Sequence, residues 1–362
     1  MFQYLIVTNH SYMLYRFRKE LIEELLKKGR VTVCTPYTGH EKDLMRMGCT
    51  CINTPLERRG MNPVKDVRLI GLYREILTKV QPDAVITYSI KPNIYCGWLC
   101  QMMNIPYFTN VQGLGTAFQS VKTAVLVAAM YKTACRDAVK VFFENRGNME
   151  VFLKHGLVTK EQAVVNPGAG VNLVQYPFME YPSEKDGIRF LYLGRIMKEK
   201  GVGELLDAFS RLRERHDNIF LDVVGFFEDD MEPAFREKMR QDGIRFHGFT
   251  EDPLPYYKNC HCVILPSYHE GMSNVLLEAA SCGRPLIVSS IFGCREVVYH
   301  ETNGFLCREK DTEDLEECME YFLRRTEDEH RRMGALSRKR AEDVFDKDKV
   351  VSAVMKEIAV VC

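Results

Sequence analysis

Residues 269–290 read HEGMSNVLLEAASCGRPLIVSS, and in them Glu270 and Glu278 bracket a Gly-led segment that opens an apolar helix. Ser273 or Asn274 is a natural N-cap, and unpaired amides near 272–275 make a seat for an anion. One carboxylate in the loop and a second along the helix would then address two parts of a ligand whose phosphates sit between them. The bare alternative is a pair of solvated helix-end glutamates. Upstream, Gly194-Arg195 follows the apolar run IRFLYL, and Lys200-Gly201 precedes another helical stretch. An arginine and a lysine over a helix start oppose the helix dipole, but would neutralise a diphosphate placed there.

Weaker candidates accompany these. Lys91 and Asn93 flank Pro92 in YSIKPNIY, after one strand and before one helix. Arg16, Arg18 and Lys19 on the first helix suit a diphosphate or anionic lipid headgroups, or else form a solvated face. Gly113 and Gly115 could suggest a phosphate loop, but one GxG is weak evidence and fits a tight turn better. Cys260-His261-Cys262 is a poor metal set, because alternate strand residues point to opposite faces. Glu228-Asp229-Asp230 has the look of a divalent-metal motif, though no metal is expected here.

The elements that must position these residues are legible from periodicity. Short β-branched runs alternate with amphipathic helices: YLIVT, then a helix with Leu14, Phe17, Leu21 and Leu25 on one face, then VTVCT. AVITY, PYFT, VKVFF and AVVN continue the rhythm, which predicts a doubly wound parallel α/β sheet. NPGAGVNLVQYPFMEYPSEKDG breaks it at residues 166–186, and IRFLYLG, IFLDVVG, IRFHG, CVILP and PLIVS then restart it. Two Rossmann-like domains follow, residues 1–165 and 166–345, with a last amphipathic helix in 346–362 returning to the first.

Composition narrows the class further. The 362 residues hold 49 Lys+Arg and 49 Asp+Glu, which argues against generic nucleic-acid binding. Residues 1–180 carry 22 basic against 14 acidic side chains, so the first half is basic and the second acidic. The 13 cysteines are scattered among apolar residues without a CxxC pair, as in a reducing cytoplasm. No apolar run reaches the ~18 to 20 residues that span a bilayer, so any membrane contact is expected to be peripheral.

The arrangement GR…KG after a strand, followed by E-G-x-x-N-x-x-L-E-A-x-x-x-G-x-P-L-I, resembles glycosyltransferase family 4, retaining enzymes of the GT-B fold. The likeness extends over nearly the whole chain and is dense over 188–306. The stretches TNHSYMLYRFRKELIEELLKKG, YSIKPNIYCGWLC and NVQGLGTAF look like the bacterial subgroup that builds capsular polysaccharides, exopolysaccharides and glycans on polyprenyl diphosphate. The resemblance implies two Rossmann-like domains with a cleft between them. It also implies a UDP-sugar donor of the UDP-GalNAc, UDP-Gal or UDP-Glc/GlcNAc type, transfer of a hexose or N-acetylhexosamine, no metal cofactor, and work at the cytoplasmic membrane face.

Residue by residue, it gives Arg195 and Lys200 the donor diphosphate, with Gly194 turning the chain beneath them. Glu270 takes the donor sugar and Glu278 the ribose. Phe249 and Thr250 meet the uracil, and the amides of Ser273, Asn274 and Val275 the distal phosphate. Asn9, His10, Arg16, Lys91, Asn93, Gln112 and Gly113 become acceptor or cleft residues. Two departures from the family stand out. The loop after the first strand reads Thr8-Asn9-His10-Ser11 in place of a Gly-Gly pair, and Gln112 replaces a histidine, so it can hydrogen-bond but carries no proton or charge. A UDP-N-acetylglucosamine 2-epimerase would share the architecture, and a non-catalytic nucleotide-sugar-binding protein would share the donor site. A nicotinamide dehydrogenase is disfavoured, because TNHSYML is no GxGxxG turn.

Overall fold

The structure, a computed structural model, describes residues 1–55, 62–113, 121–228 and 232–361. The chain divides into two compact units, Met1–Ala169 with Lys347–Cys362, and Gly170–Asp346.

The first unit is built on β1 (Phe2–Val7), β2 (Gly29–Thr35), β3 (Thr50–Asn53), β4 (Ala84–Tyr88), β5 (Tyr107–Val111), β6 (Lys140–Phe143) and β7 (Ala163–Val165). They form one parallel sheet in the order β3-β2-β1-β4-β5-β6-β7. Its helices are α1 (Ser11–Lys28), α2 (Glu41–Arg46), α3 (Pro63–Val80), α4 (Gly97–Met102), α5 (Val121–Ala134) and α6 (Arg146–Lys154).

Strand alternation explains the layering. In β1, Leu5 and Val7 enter a cluster with Tyr73, Tyr107 and Phe143, while Tyr4 and Ile6 enter another with Leu14, Leu21 and Leu25 of α1. Both faces are therefore covered, as a parallel sheet requires.

The second unit repeats the scheme with β8 (Ile188–Leu193), β9 (Ile219–Val224), β10 (Ile244–Gly248), β11 (Cys262–Leu265), β12 (Leu286–Ser289) and β13 (Gly304–Cys307). They pair in the order β10-β9-β8-β11-β12-β13, all parallel. Around them lie α7 (Val202–Arg213), α8 (Glu232–Lys238), α9 (Leu254–Asn259), α10 (Asn274–Ser281), α11 (Thr312–Leu323) and α12 (Glu327–Arg340). The chain then returns to the first unit as α13 (Lys347–Ile358), which adds Val354 and Ile358 to the cluster around α1. Lys347 Nζ anchors its start by donating to the carbonyl of Phe17 at 3.0 Å.

Two details differ from the sequence expectations. The joint falls after Ala169 and not after residue 165, because Asn166 N still donates to Phe143 O (2.8 Å) and Arg18 Nη1 to Gly168 O (3.1 Å). Strands β3 and β13 were not foreseen. Each has four residues and lies at a sheet edge, too short for a clear alternation. No helix among the described residues is long and apolar enough to cross a membrane.

Candidate functional site

In each sheet the strand order reverses beside the first strand, between β1 and β4 and between β8 and β11. Ligands of doubly wound sheets collect at such switch points, beyond the carboxyl ends of the strands. In the second unit, the loops after β8 and β11 carry Arg195, Lys200 and Glu270.

These loops are tied together. Lys200 Nζ lies 2.5 Å from Glu270 Oε1, and the buried Ser267 hydroxyl donates to the same oxygen at 2.8 Å. Both charged side chains are largely shielded, at 15% and 12% exposure. Tyr268 N donates to Glu199 O at 3.0 Å, which draws the two loops into register. Gly201, which follows Lys200, has φ of +66°, and a Cβ there would run into the carbonyl of Pro266. Only glycine lets the backbones come this close. Burial holds the His269 imidazole below its ordinary value, although neighbouring Glu270 pulls it upward.

Arg195 turns out of the strand end just after Gly194, and the Tyr192 hydroxyl donates to its carbonyl at 2.6 Å. Its guanidinium pairs with Glu228. Asp229 and Asp230, the rest of the acidic run, lie outside the described residues. Among the described residues no group of three His, Cys, Asp or Glu side chains is placed to hold a metal ion. His261 is engaged otherwise, accepting the Arg189 amide at 2.9 Å.

The start of α10 has the character of an anion seat. Ser273, one of the two residues expected there, occupies the N-cap position with extended backbone but no side-chain cap bond. Among the described residues the amides of Asn274 and Val275 meet no acceptor. Such amides are satisfied by water or by a ligand. One turn on, Glu278 is buried, and the Tyr257 phenol donates to its Oε2 at 2.9 Å. Burial drives the Tyr257 phenol far above its ordinary pKa, followed by the charge of Glu278, so it stays a proton donor. Phe249 projects half-exposed beside Phe226, their rings 6.0 Å apart, and Thr250 Oγ1 accepts from Asp252 N at 3.1 Å.

In the first unit, Asn9 and Ser89 join the ends of β1 and β4, the Ser89 hydroxyl donating to Asn9 Oδ1 at 2.7 Å. His10 precedes α1 and Arg16 lies on it, both partly exposed; Gln112 and Gly113 follow β5, also partly exposed. Gly115 is outside the described residues. Lys91 pairs with Asp66 at 2.8 Å.

Two expectations need correction. Asn93 is 1% exposed and spends its amide on Asn110 O (2.8 Å) and the Tyr131 hydroxyl (3.3 Å), so it fastens the chain after β4 to the core. Arg18 is buried against Glu144 at 2.7 Å and over the Tyr88 ring, away from any headgroup. Conversely, Ser267 and Tyr257 escaped the sequence reading. Ser267, three residues before Glu270 at a strand end, carried a local signal. Tyr257, 21 residues from Glu278, carried none.

Two parallel doubly wound sheets, each with polar loops at its reversal, make up the GT-B fold. Comparison with known proteins agrees. A model of the family described as glycosyl transferases group 1 matches residues 178–340, and one described as glycosyl transferase 4-like matches residues 4–145. Between them the two models cover most of the chain, which belongs with the glycosyl transferases they describe.

Among curated relatives is the N,N'-diacetylbacillosaminyl-diphospho-undecaprenol alpha-1,3-N-acetylgalactosaminyltransferase of Campylobacter jejuni, 25% identical over 94% of this chain and 93% of that protein. Another is the UDP-Gal:alpha-D-GlcNAc-diphosphoundecaprenol alpha-1,3-galactosyltransferase of Escherichia coli, 27% identical over 81% and 78%. The Anabaena protein HepE, solved with UDP and glucose, superposes with a TM-score of 0.81 at 15% identity, covering 99% of this chain and 100% of that one.

Proposed function

We propose that this protein transfers a hexose or N-acetylhexosamine from a UDP-sugar to a glycan carried on polyprenyl diphosphate, with retention at the anomeric carbon and without a metal. The carrying observation is the knot of Lys200, Glu270 and Ser267 at the carboxyl end of the second sheet, in the same loop that leads into the uncapped start of α10. The class of acceptor is supported by the two curated relatives, whose names specify diphosphoundecaprenol-linked acceptors.

In this reading the α10 amides take the distal phosphate, and Arg195 and Lys200 compensate the charge that grows on the diphosphate as the glycosidic bond breaks. Such preorganised donors supply much of the transition-state stabilisation in reactions of this kind. The acceptor oxygen bonds to the anomeric carbon on the face the diphosphate leaves, and the departing phosphate oxygen takes the acceptor's proton. Glu270 orients the sugar and Glu278 the ribose. The donors closest to the relatives are UDP-GalNAc and UDP-Gal, and the work is placed at the cytoplasmic face of the membrane.

The test is incubation of the purified protein with UDP-GalNAc, UDP-Gal, UDP-Glc or UDP-GlcNAc and a polyprenyl-diphosphate-linked sugar, with and without EDTA. Transfer unaffected by chelation, with an α-linked product by NMR, is expected. No transfer with any donor, or a β-linked product, overturns the reading.

A further inference from the structure

The first unit contains a cavity of about 670 Å³ that the catalytic assignment leaves unused. It opens beyond the carboxyl ends of β2 and β3, against the first turns of α3, and lies within the ~300–1,000 Å³ span of small-molecule sites. Three cations line it: Lys65 and Arg68 from α3, and Lys91 from the turn after β4. Among the described residues that line it, Asp66 is the one carboxylate, so cations outnumber anions there. The Asp66–Lys91 pair is shielded, at 12% and 16% exposure, and it fixes the Lys91 ammonium at the wall while using one of its three donors.

The sequence of α3 is unusual for a helix start. Lys65 falls in its first turn, where the dipole disfavours positive charge and Asp66 offsets only part of it, and Arg68 follows in the second. An anion bound there would relieve that conflict. Apart from Asn53 the rest of the wall is largely apolar, with Pro36, Pro55, Leu69 and Leu72, and Tyr37 lines it with its hydroxyl turned to the Cys51 carbonyl at 3.0 Å.

A concentrated positive face next to an apolar one fits an amphiphile with a polyanionic head. We propose that this pocket seats the diphosphate of the lipid-linked acceptor, with Lys65, Arg68 and Lys91 on the phosphates and the first isoprene units along Pro36 and Leu72. The assignment rests on the acceptor class proposed above. It gives Lys91 a binding role through the phosphate and assigns Lys65 and Arg68, which the sequence motifs did not mark.

The experiment is isothermal calorimetry on the full chain with UDP present at saturation, so that the donor site is filled. Geranyl diphosphate, inorganic diphosphate and geraniol are the probes, and K65A/R68A is the variant. Both residues are exposed, so melting curves of variant and parent are expected to overlay. Geranyl diphosphate should bind the parent at least tenfold more tightly than either other probe, and the variant should lose tenfold or more of that affinity while binding UDP as before. Equal geranyl diphosphate affinity in parent and variant overturns the site, and inorganic diphosphate binding as tightly as geranyl diphosphate overturns its lipid character. Transfer assays separate the two proposals. If the variant uses the polyprenyl-linked acceptor with the parent's KM, the transferase reading stands and the pocket assignment falls. If no polyprenyl-linked acceptor is used while the variant still loses geranyl diphosphate, the pocket stands as a prenyl-diphosphate site, and both the transferase reading and the pocket's role as acceptor seat fall.

Discussion

Lys200 and Glu270 are 70 residues apart in the chain and 2.5 Å apart in the fold, and Ser267 donates to the same carboxylate oxygen. Two donors on one oxygen hold the Glu270 carboxylate in one orientation. If that orientation serves transfer, Glu270→Ala and Lys200→Ala should each lower kcat/KM by roughly 10²–10³-fold, the scale for losing one preorganised donor. Ser267→Ala should cost about tenfold, as expected for one hydrogen bond to a charged group. Steady-state kinetics decide it, and parental rates in Glu270→Ala would remove the residue from the mechanism.

The buried contact between Tyr257 and Glu278 separates stability from ligand binding. Tyr257→Phe deprives a buried carboxylate of a donor and should destabilise the second unit by about 1–3 kcal/mol. Glu278→Ala should weaken UDP binding about tenfold or more, the loss of a charge-assisted bond to a ribose hydroxyl. Calorimetric titration with UDP checks this, and an unchanged Kd in Glu278→Ala would break the ribose assignment.

At Gly201 a methyl group has nowhere to go. Gly201→Ala combines left-handed backbone with a clash on the Pro266 carbonyl, so a loss of about 1–3 kcal/mol is expected, with Lys200 displaced from Glu270. Thermal melting measures the first effect and the rate of transfer the second. A variant with parental Tm would show that the loops are not held as closely as described.

His261 gives the second unit a pH dependence. Its Nδ1 accepts from Arg189 N at 2.9 Å, so the ring is neutral with its proton on Nε2, facing the Ser183 carbonyl at 3.2 Å. Burial holds its pKa below the ordinary 6.5, with the Ser183 carbonyl opposing. Below 6.5 the unfolded chain binds a proton that the folded domain resists, so stability falls as pH drops through that value towards the lower folded pKa. Tm should therefore fall between about pH 7.5 and about pH 5.5, and His261→Gln should flatten part of that slope. An identical slope in parent and variant would refute the linkage.

Much of this fold is legible in the sequence. The βαβ rhythm, the break after residue 166 and the return of the last helix are all periodicity effects, and periodicity reports which face is buried. The edge strands β3 and β13 were not readable, because each is only four residues long, β3 half-shielded and β13 mostly buried, and neither shows an alternation. At the site, the loop carboxylate and the lysine stood out by type and spacing. Asn93 and Arg18 misled for a shared reason. A polar residue in a loop or on a helix looks available in sequence, and only packing shows that Asn110, Tyr131, Glu144 and Tyr88 have already engaged it.

The returning helix α13 also sets the order of assembly. Val354 and Ile358 fill space against α1, yet they leave the ribosome more than 300 residues after it. During synthesis the second unit has its whole chain available first, while the earlier-made unit waits with an apolar face of α1 uncovered. A chain cut before residue 347 would therefore keep the whole sequence of the second unit and leave that apolar face of α1 bare.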